Sequence, residues 1–357
     1  MQNVGVSQVK PGSRLSEHVL TRRGTLLFEK GRMLSETDKE VLQAFLIPSV
    51  MIYDPGDQEQ GTEHSESDDG SVTLQGRADF DLAFKEMRNL LRKAFPLPAA
   101  GQPLPILEIR TKLIQLIEAA EGYHPLFCDP ASVRGEDYLY NNSIYVSLSS
   151  YLLAKWHGFS EKDLVPVALA GLLHDIGNTK VDPAILEKNA TLAPAEREEI
   201  RRHPTYGYVL LKNAPGINEG VKLAALQHHE REDGSGYPMR VKADKIHPYA
   251  KIVAITDVFH AMTSNRSYKR ADSPYLVLEQ LHQESFGKLE PALVRTFIER
   301  MTQFTNGTLV KISDGRIGEI IFTDRSNPTR PMVKVGDLIV NLAQERQYFI
   351  REVVAGI

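Results

Sequence analysis

From Asp79 to about Thr302, apolar residues recur at the spacing of a helix. Phe80, Phe84, Met87, Leu90 and Leu91 make one stripe. Pro96, Pro98, Pro103 and Pro105 interrupt it, and Ile106, Leu113, Ile114 and Ile117 make the next. The pattern predicts further helices over about 137–157, 163–176, 194–213, 218–231, 248–265, 274–285 and 290–303. No strand alternates with them, so a mainly α helical bundle is expected over 79–302. Small β-rich units are expected at both ends. In residues 1–53, GTLLFEKG (24–31) and IPSVMIY (47–53) read as strands, and Ser35-Glu36-Thr37-Asp38 opens a helix carrying Val41, Leu42 and Phe45 on one face. In residues 303–357, TLVKIS, RIGEIIF, MVKVG, LIVNL and YFIREVV are short strands between Gly, Asp and Pro turns, suiting a small barrel or curled sheet.

Charge changes this picture at one place. Asp54, Asp57, Glu59, Glu63, Glu66, Asp68 and Asp69 come with no basic residue before Arg77, so residues 54–78 read as an acidic flexible linker. Over the whole chain, Lys and Arg number 42 and Asp and Glu 46, a net charge of −4. That balance, with no basic stripe, argues against nucleic acid as a partner. No apolar run is long enough to span a membrane, and the opening residues lack a secretion leader. The single cysteine, Cys128, excludes a disulfide framework or a thiolate zinc cluster and suits a cytoplasmic protein.

The candidate chemistry is carried by histidine and aspartate. His174-Asp175 end one expected helix, His203 lies in the next, His228-His229 end another, and Asp257 lies in the one after. The spacings of 29, 25 and 28 residues are each about one helix plus one loop, so every helix could present one or two inward ligands to a common point. Imidazole and carboxylate without thiolate suit iron, manganese or zinc. After His229, the GSGYP run (234–238) reads as a rigid loop: Gly234 and Gly236 permit unusual backbone angles, Pro238 fixes the exit and Tyr237 is held between them.

HDIG at 174–177, His203-Pro204, HHE at 228–230, DGSGYP at 233–238 and DVFHAMTSNRSYK at 257–269, in this order, resemble the HD-GYP family over about residues 130–302. This is a branch of HD-superfamily metal-dependent phosphohydrolases whose members hydrolyse cyclic di-GMP in bacterial signalling. The resemblance implies two divalent metals, iron or manganese favoured over zinc. Asp175 would bridge them, His174 and Asp257 would hold the first, and His203, His228 and His229 the second. A metal pair can generate a hydroxide and clamp the attacking and leaving oxygens of a phosphodiester, here with a ribose 3′-oxygen leaving. Gly236, Tyr237, Pro238, Arg266 and Lys269 would face the substrate, Lys269 as the phosphate contact.

Three positions depart from the family pattern, and a fourth, Tyr138, departs from that of some members. Asn142 stands at a metal-ligating histidine, and an amide oxygen is the poorer ligand, so the first metal site is expected to be weak. Tyr138 stands where some members add a glutamate, which argues against a third metal. Asn178 replaces a lysine of HDIGK, and His260 replaces an aspartate considered for proton transfer. His260, three residues after Asp257, could restore an imidazole to the site as ligand or as acid–base. The leading expectation is a cyclic dinucleotide phosphodiesterase. The alternatives are a receptor that binds metal or cyclic dinucleotide and signals to a partner protein, and an HD phosphohydrolase with another phosphate ester. Oligomeric state is left open.

Overall fold

Short strands at the two ends of the chain cannot each close a core, because isolated two-stranded ribbons are marginal in water. They combine instead. The computed structural model describes every residue except 21–25, 29, 45–46, 54–69, 121–124, 126–136, 187, 189, 265–271, 304–306 and 356–357. It divides into one unit of residues 1–67 with 303–357 and a second of residues 68–302.

In the first unit, β1 (Gln2–Gly5) pairs antiparallel with β4 (Ser49–Ile52), from Gln2 opposite Ile52 to Gly5 opposite Ser49, and β2 (Val19–Leu20) pairs with β3 (Leu26–Phe28). Between them lies α1 (Glu36–Ala44). Its start is the expected reciprocal cap: Asp38 N–H donates to Ser35 Oγ at 3.1 Å, and Ser35 N–H donates to Asp38 Oδ2 at 2.9 Å. Phe45, read as part of that helix face, lies outside the described residues. The C-terminal strands β5 (Leu309–Ile312), β6 (Ile317–Phe322), β7 (Met332–Val335), β8 (Leu338–Asn341) and β9 (Ile350–Ala355) form one antiparallel sheet in the order β8-β7-β6-β5-β9. Leu309 and Ile317 are buried in the same core as Val6, Leu15, Phe28, Leu34, Val41 and Val50. The expectation of two separate terminal units is therefore corrected: both ends share one core.

The second unit is helical: α2 (Gly70–Ala94), α3 (Pro96–Ala99), α4 (Ile106–Ala119), α5 (Tyr138–Trp156), α6 (Glu161–Leu173), α7 (Pro183–Leu186), α8 (Pro194–Ile200), α9 (His203–Leu211), α10 (Glu219–Gln227), α11 (Pro248–Thr263), α12 (Pro274–Glu284) and α13 (Pro291–Met301). α2 begins inside the stretch read as linker. No proline stands between Gly70 and Ala94, so a helix nucleated on the Phe80 stripe propagates backward at little cost. The rest of that stretch, residues 54–69, lies outside the described residues. Ile114 is 40% exposed and does not join the core with Leu113. Among the described residues, no helix is long and apolar enough to cross a membrane.

α5 is buried on nearly all sides, and its serines are satisfied across helix contacts. Ser147 Oγ donates to Ala168 O at 2.7 Å, and Ser150 Oγ shares a 2.8 Å bond with Thr256 Oγ1. Gly171 lets α6 close on α5: a Cβ there would lie 2.9 Å from Ser147 Cα. These contacts lock α5, α6 and α11 in register, and α6 and α11 carry three of the candidate ligands.

Candidate metal centre

The ligand candidates stand at helix ends, where a side chain can leave the bundle axis and turn toward its neighbours. His174 and Asp175 follow the last residue of α6, His203 opens α9, and His228 and His229 follow the last residue of α10. Asp257 lies within α11. Gly177 brings His203 in. It lies in the 3-10 turn Ile176–Lys180, so close under α9 that a Cβ would sit 1.9 Å from His203 O and 2.5 Å from Gly207 N.

The six side chains converge. Asp175 Oδ2 lies 3.3 Å from His174 Nε2, while Asp175 Oδ1 lies 3.2 Å from His203 Nε2 and 3.7 Å from His228 Nε2. His174 Nε2 is 3.5 Å from Asp257 Oδ1, and the Nε2 atoms of His203 and His228 are 3.2 Å apart. Two ligand groups result, His203-His228-His229 and His174-Asp175-His228, the donor atoms of each within 4.8 Å of one another. Atoms bonded at ~2.0–2.2 Å to one ion stand ~3–4 Å apart, so the set fits a metal.

The backbone sets the tautomers. Nδ1 of His174 donates to Gly171 O at 2.7 Å, Nδ1 of His203 to Ile200 O at 2.7 Å, and Nδ1 of His228 to Ala224 O and Ala225 O at 3.1 Å. Each bond leaves an Nε2 lone pair aimed at the common point, the usual way a protein orients ligating imidazoles. His174 Nε2 is fully buried and faces the carboxylates of Asp175 and Asp257 at 3.3 and 3.5 Å, a place that a cation would satisfy.

Electrostatics separates the histidines. Burial, helped by the charges of His174 and His203, pulls His228 down to about 3, and burial with the charge of His228 holds His229 well below the usual imidazole range. Both are neutral at pH 7. Burial also opposes a charge on His174, but Asp175 and Asp257 outweigh it and hold its proton well above the ordinary value. Burial disfavours both carboxylates too, yet the facing histidines win and keep Asp175 and Asp257 ionised. The metal-free site thus holds a proton on His174 that a metal must displace. Adding manganese to metal-free protein near pH 7 in weak buffer should release about one proton per chain, and affinity should fall as pH falls. Release of no proton on metal uptake, read by a pH indicator, would contradict this ordering of the histidines.

Residues 135–293 match the HD domain family. A cyclic di-GMP phosphodiesterase of Pseudomonas aeruginosa is 32% identical over 200 residues, 56% of this chain and 48% of that protein. The cyclic di-GMP phosphodiesterase response regulator of Xanthomonas campestris is 36% identical over 43% of this chain and 40% of its own. The 3'3'-cGAMP-specific phosphodiesterase 2 of Vibrio cholerae is 33% identical over 44% of this chain and 31% of its own. The chain spans about half the length, or less, of these curated relatives. A solved HDG"Y"P protein of Bdellovibrio bacteriovorus aligns over 84% of this chain and 99% of its own, with a TM-score of 0.48 and 13% identity.

The remaining sequence candidates fall in different places of the helical unit. Asn142 is buried in α5, and its amide oxygen has no hydrogen-bond partner. His260 is also buried, but its Nε2 shares a 2.7 Å bond with Ser149 Oγ and its ring stacks on Tyr145. Burial pulls it down to about 3. The Tyr237 ring stacks on His229 with centroids 4.7 Å apart, and its N–H donates to His229 O at 3.2 Å. Gly236 permits that approach, because a Cβ would sit 2.5 Å from three atoms of His229, Glu230 and Arg231. Pro238 follows, half-buried. Arg266 and Lys269 lie outside the described residues.

Glu230 has a role that the sequence reading missed. Its carboxylate accepts from the N–H groups of Met239, Arg240 and Val241 at 2.6, 3.0 and 3.2 Å. It therefore closes the loop that presses Tyr237 onto His229. The available signal was an acid directly after two buried histidines and before a glycine-rich loop, whose amides need an acceptor.

Proposed function

We propose that the chain is a metal-dependent phosphodiesterase that hydrolyses a cyclic dinucleotide, cyclic di-GMP foremost, in bacterial second-messenger signalling inside the cell. The observation that carries this is Asp175, whose two oxygens face two different histidine groups. Such a carboxylate could bridge two ions, one of which His174 and Asp257 would hold and the other His203, His228 and His229. A divalent pair bound there supplies Lewis acidity and a water-derived nucleophile. The chain's own part is to present buried imidazoles, hold the carboxylates ionised and keep the ligand shell rigid through Gly177, Tyr237 and Glu230. Iron or manganese suits this nitrogen and oxygen donor set better than a thiophilic metal. The names of the relatives support a cyclic dinucleotide as substrate. His260, tied to Ser149, is assigned to the bundle rather than to the reaction.

A second reading, a receptor that holds the nucleotide without cutting it, is favoured by Asn142, an amide at the position where the family pattern has a metal-ligating imidazole. One experiment separates the two. Protein purified without oxygen is analysed for metal and then incubated with cyclic di-GMP and 3'3'-cGAMP. Two metal equivalents with release of the linear dinucleotide support the enzyme; tight binding without turnover supports the receptor.

A further inference from the structure

Basic residues adjoin the ligand residues in the sequence, and three of them are already engaged. Arg231 Nη1 donates to His228 O at 3.3 Å and Glu230 O at 2.9 Å. Arg202 pairs with Glu199 at 3.2 Å. Lys180 reaches Ala99 O at 3.4 Å. Arg201 is placed differently. Its backbone is pinned where α8 ends, with its N–H donating to Arg197 O at 3.1 Å, while the residue itself is exposed. Its guanidinium lies over the Tyr237 ring, 4.8 Å from the centroid. Tyr237 in turn stacks on His229 at 4.7 Å. A solvent-facing cation is thus separated from a ligand histidine by a single aromatic ring.

A cyclic dinucleotide carries two phosphodiesters, and only one can react at the metal centre at a time. The other remains an anion that needs a partner outside the ligand shell. Resting on the phosphodiesterase reading above, we infer that Arg201 binds the phosphate that is not being cut. A guanidinium offers a planar fork of donors suited to phosphate, and the tyrosine face beneath it restrains that fork before substrate arrives. Arg201 is then a specificity residue for two-phosphate rings and leaves the metals untouched.

The test compares wild type, Arg201→Met and Arg201→Lys as metal-loaded full chains. Substrates are cyclic di-GMP and bis(p-nitrophenyl) phosphate, an ester with one phosphate. Binding of a slowly hydrolysed phosphorothioate analogue of cyclic di-GMP is measured in parallel. Loss of a charge-assisted phosphate contact should weaken analogue binding by about tenfold or more in Arg201→Met, with Arg201→Lys between. The ratio of kcat/KM for the cyclic dinucleotide to that for the one-phosphate ester should fall by a similar factor, through KM. Metal content should stay at the wild-type value. An unchanged ratio overturns the inference. So does equal loss on both substrates with loss of metal, which would mean that Arg201 only supports Tyr237 and His229. Wild type that neither binds nor cleaves a cyclic dinucleotide overturns the phosphodiesterase reading itself, and the inference with it.

Discussion

Asp175→Asn is expected to lose most of the bound metal and to slow phosphodiester hydrolysis by about a thousandfold or more. The change is nearly isosteric, so its effect is electrostatic. In the native site one carboxylate oxygen faces His174 and the other faces His203 and His228. The amide keeps one oxygen and places an NH2 where the second stood. One histidine group then meets a donor instead of an anion, and two ions bound there would lose the negative charge that screens them from each other. The loss should appear first in metal stoichiometry, measured on protein loaded in excess metal and then desalted. Hydrolysis should fall with it. Full retention of metal in Asp175→Asn would show that this carboxylate bridges nothing and would remove the main support for the enzymatic reading.

The meeting of these histidines and aspartates was legible in the sequence because its determinants are local. Each histidine stands at a helix end, and the spacing of one helix plus one loop returns the chain to the same end of the bundle. The shared core of the two chain ends was not legible. Burying Leu309 in one core with Val6 joins residues about three hundred positions apart, and no periodicity reports which strands meet. His260 shows a finer limit. It follows Asp257 by three residues, which places it on roughly the same face, yet three residues turn a helix by about 300° and leave a ~60° offset. That offset carries the imidazole to Ser149 and Tyr145 on α5, while Asp257 faces His174. Glu230 was hidden for another reason: its partners exist only once the loop to Val241 has closed.

Gly177→Ala should damage the fold and the metal centre together. The methyl group would overlap His203 O at 1.9 Å, His203 C at 2.9 Å and Gly207 N at 2.5 Å, all backbone atoms that no side-chain rotation can clear. Relief requires α9 to move away from the turn Ile176–Lys180, and His203 is the first residue of α9. Overpacking of this kind costs about 3 kcal/mol or more when backbone must shift. Any α9 that still docks should do so with His203 displaced from Asp175, leaving the second group short of a ligand. Gly207→Ala is the control. It lies in the same interface, but its added methyl would meet Ala225 Cβ and Gly177 N at 3.5 Å, an ordinary contact. Within helix α9 that change should be neutral or gain up to about 1 kcal/mol, since glycine is the poorer helix former. Urea unfolding of both variants, with metal stoichiometry on each, measures the contrast. Gly177→Ala as stable and as metal-rich as Gly207→Ala would mean that the close approach of α9 to the HDIG turn does not position His203.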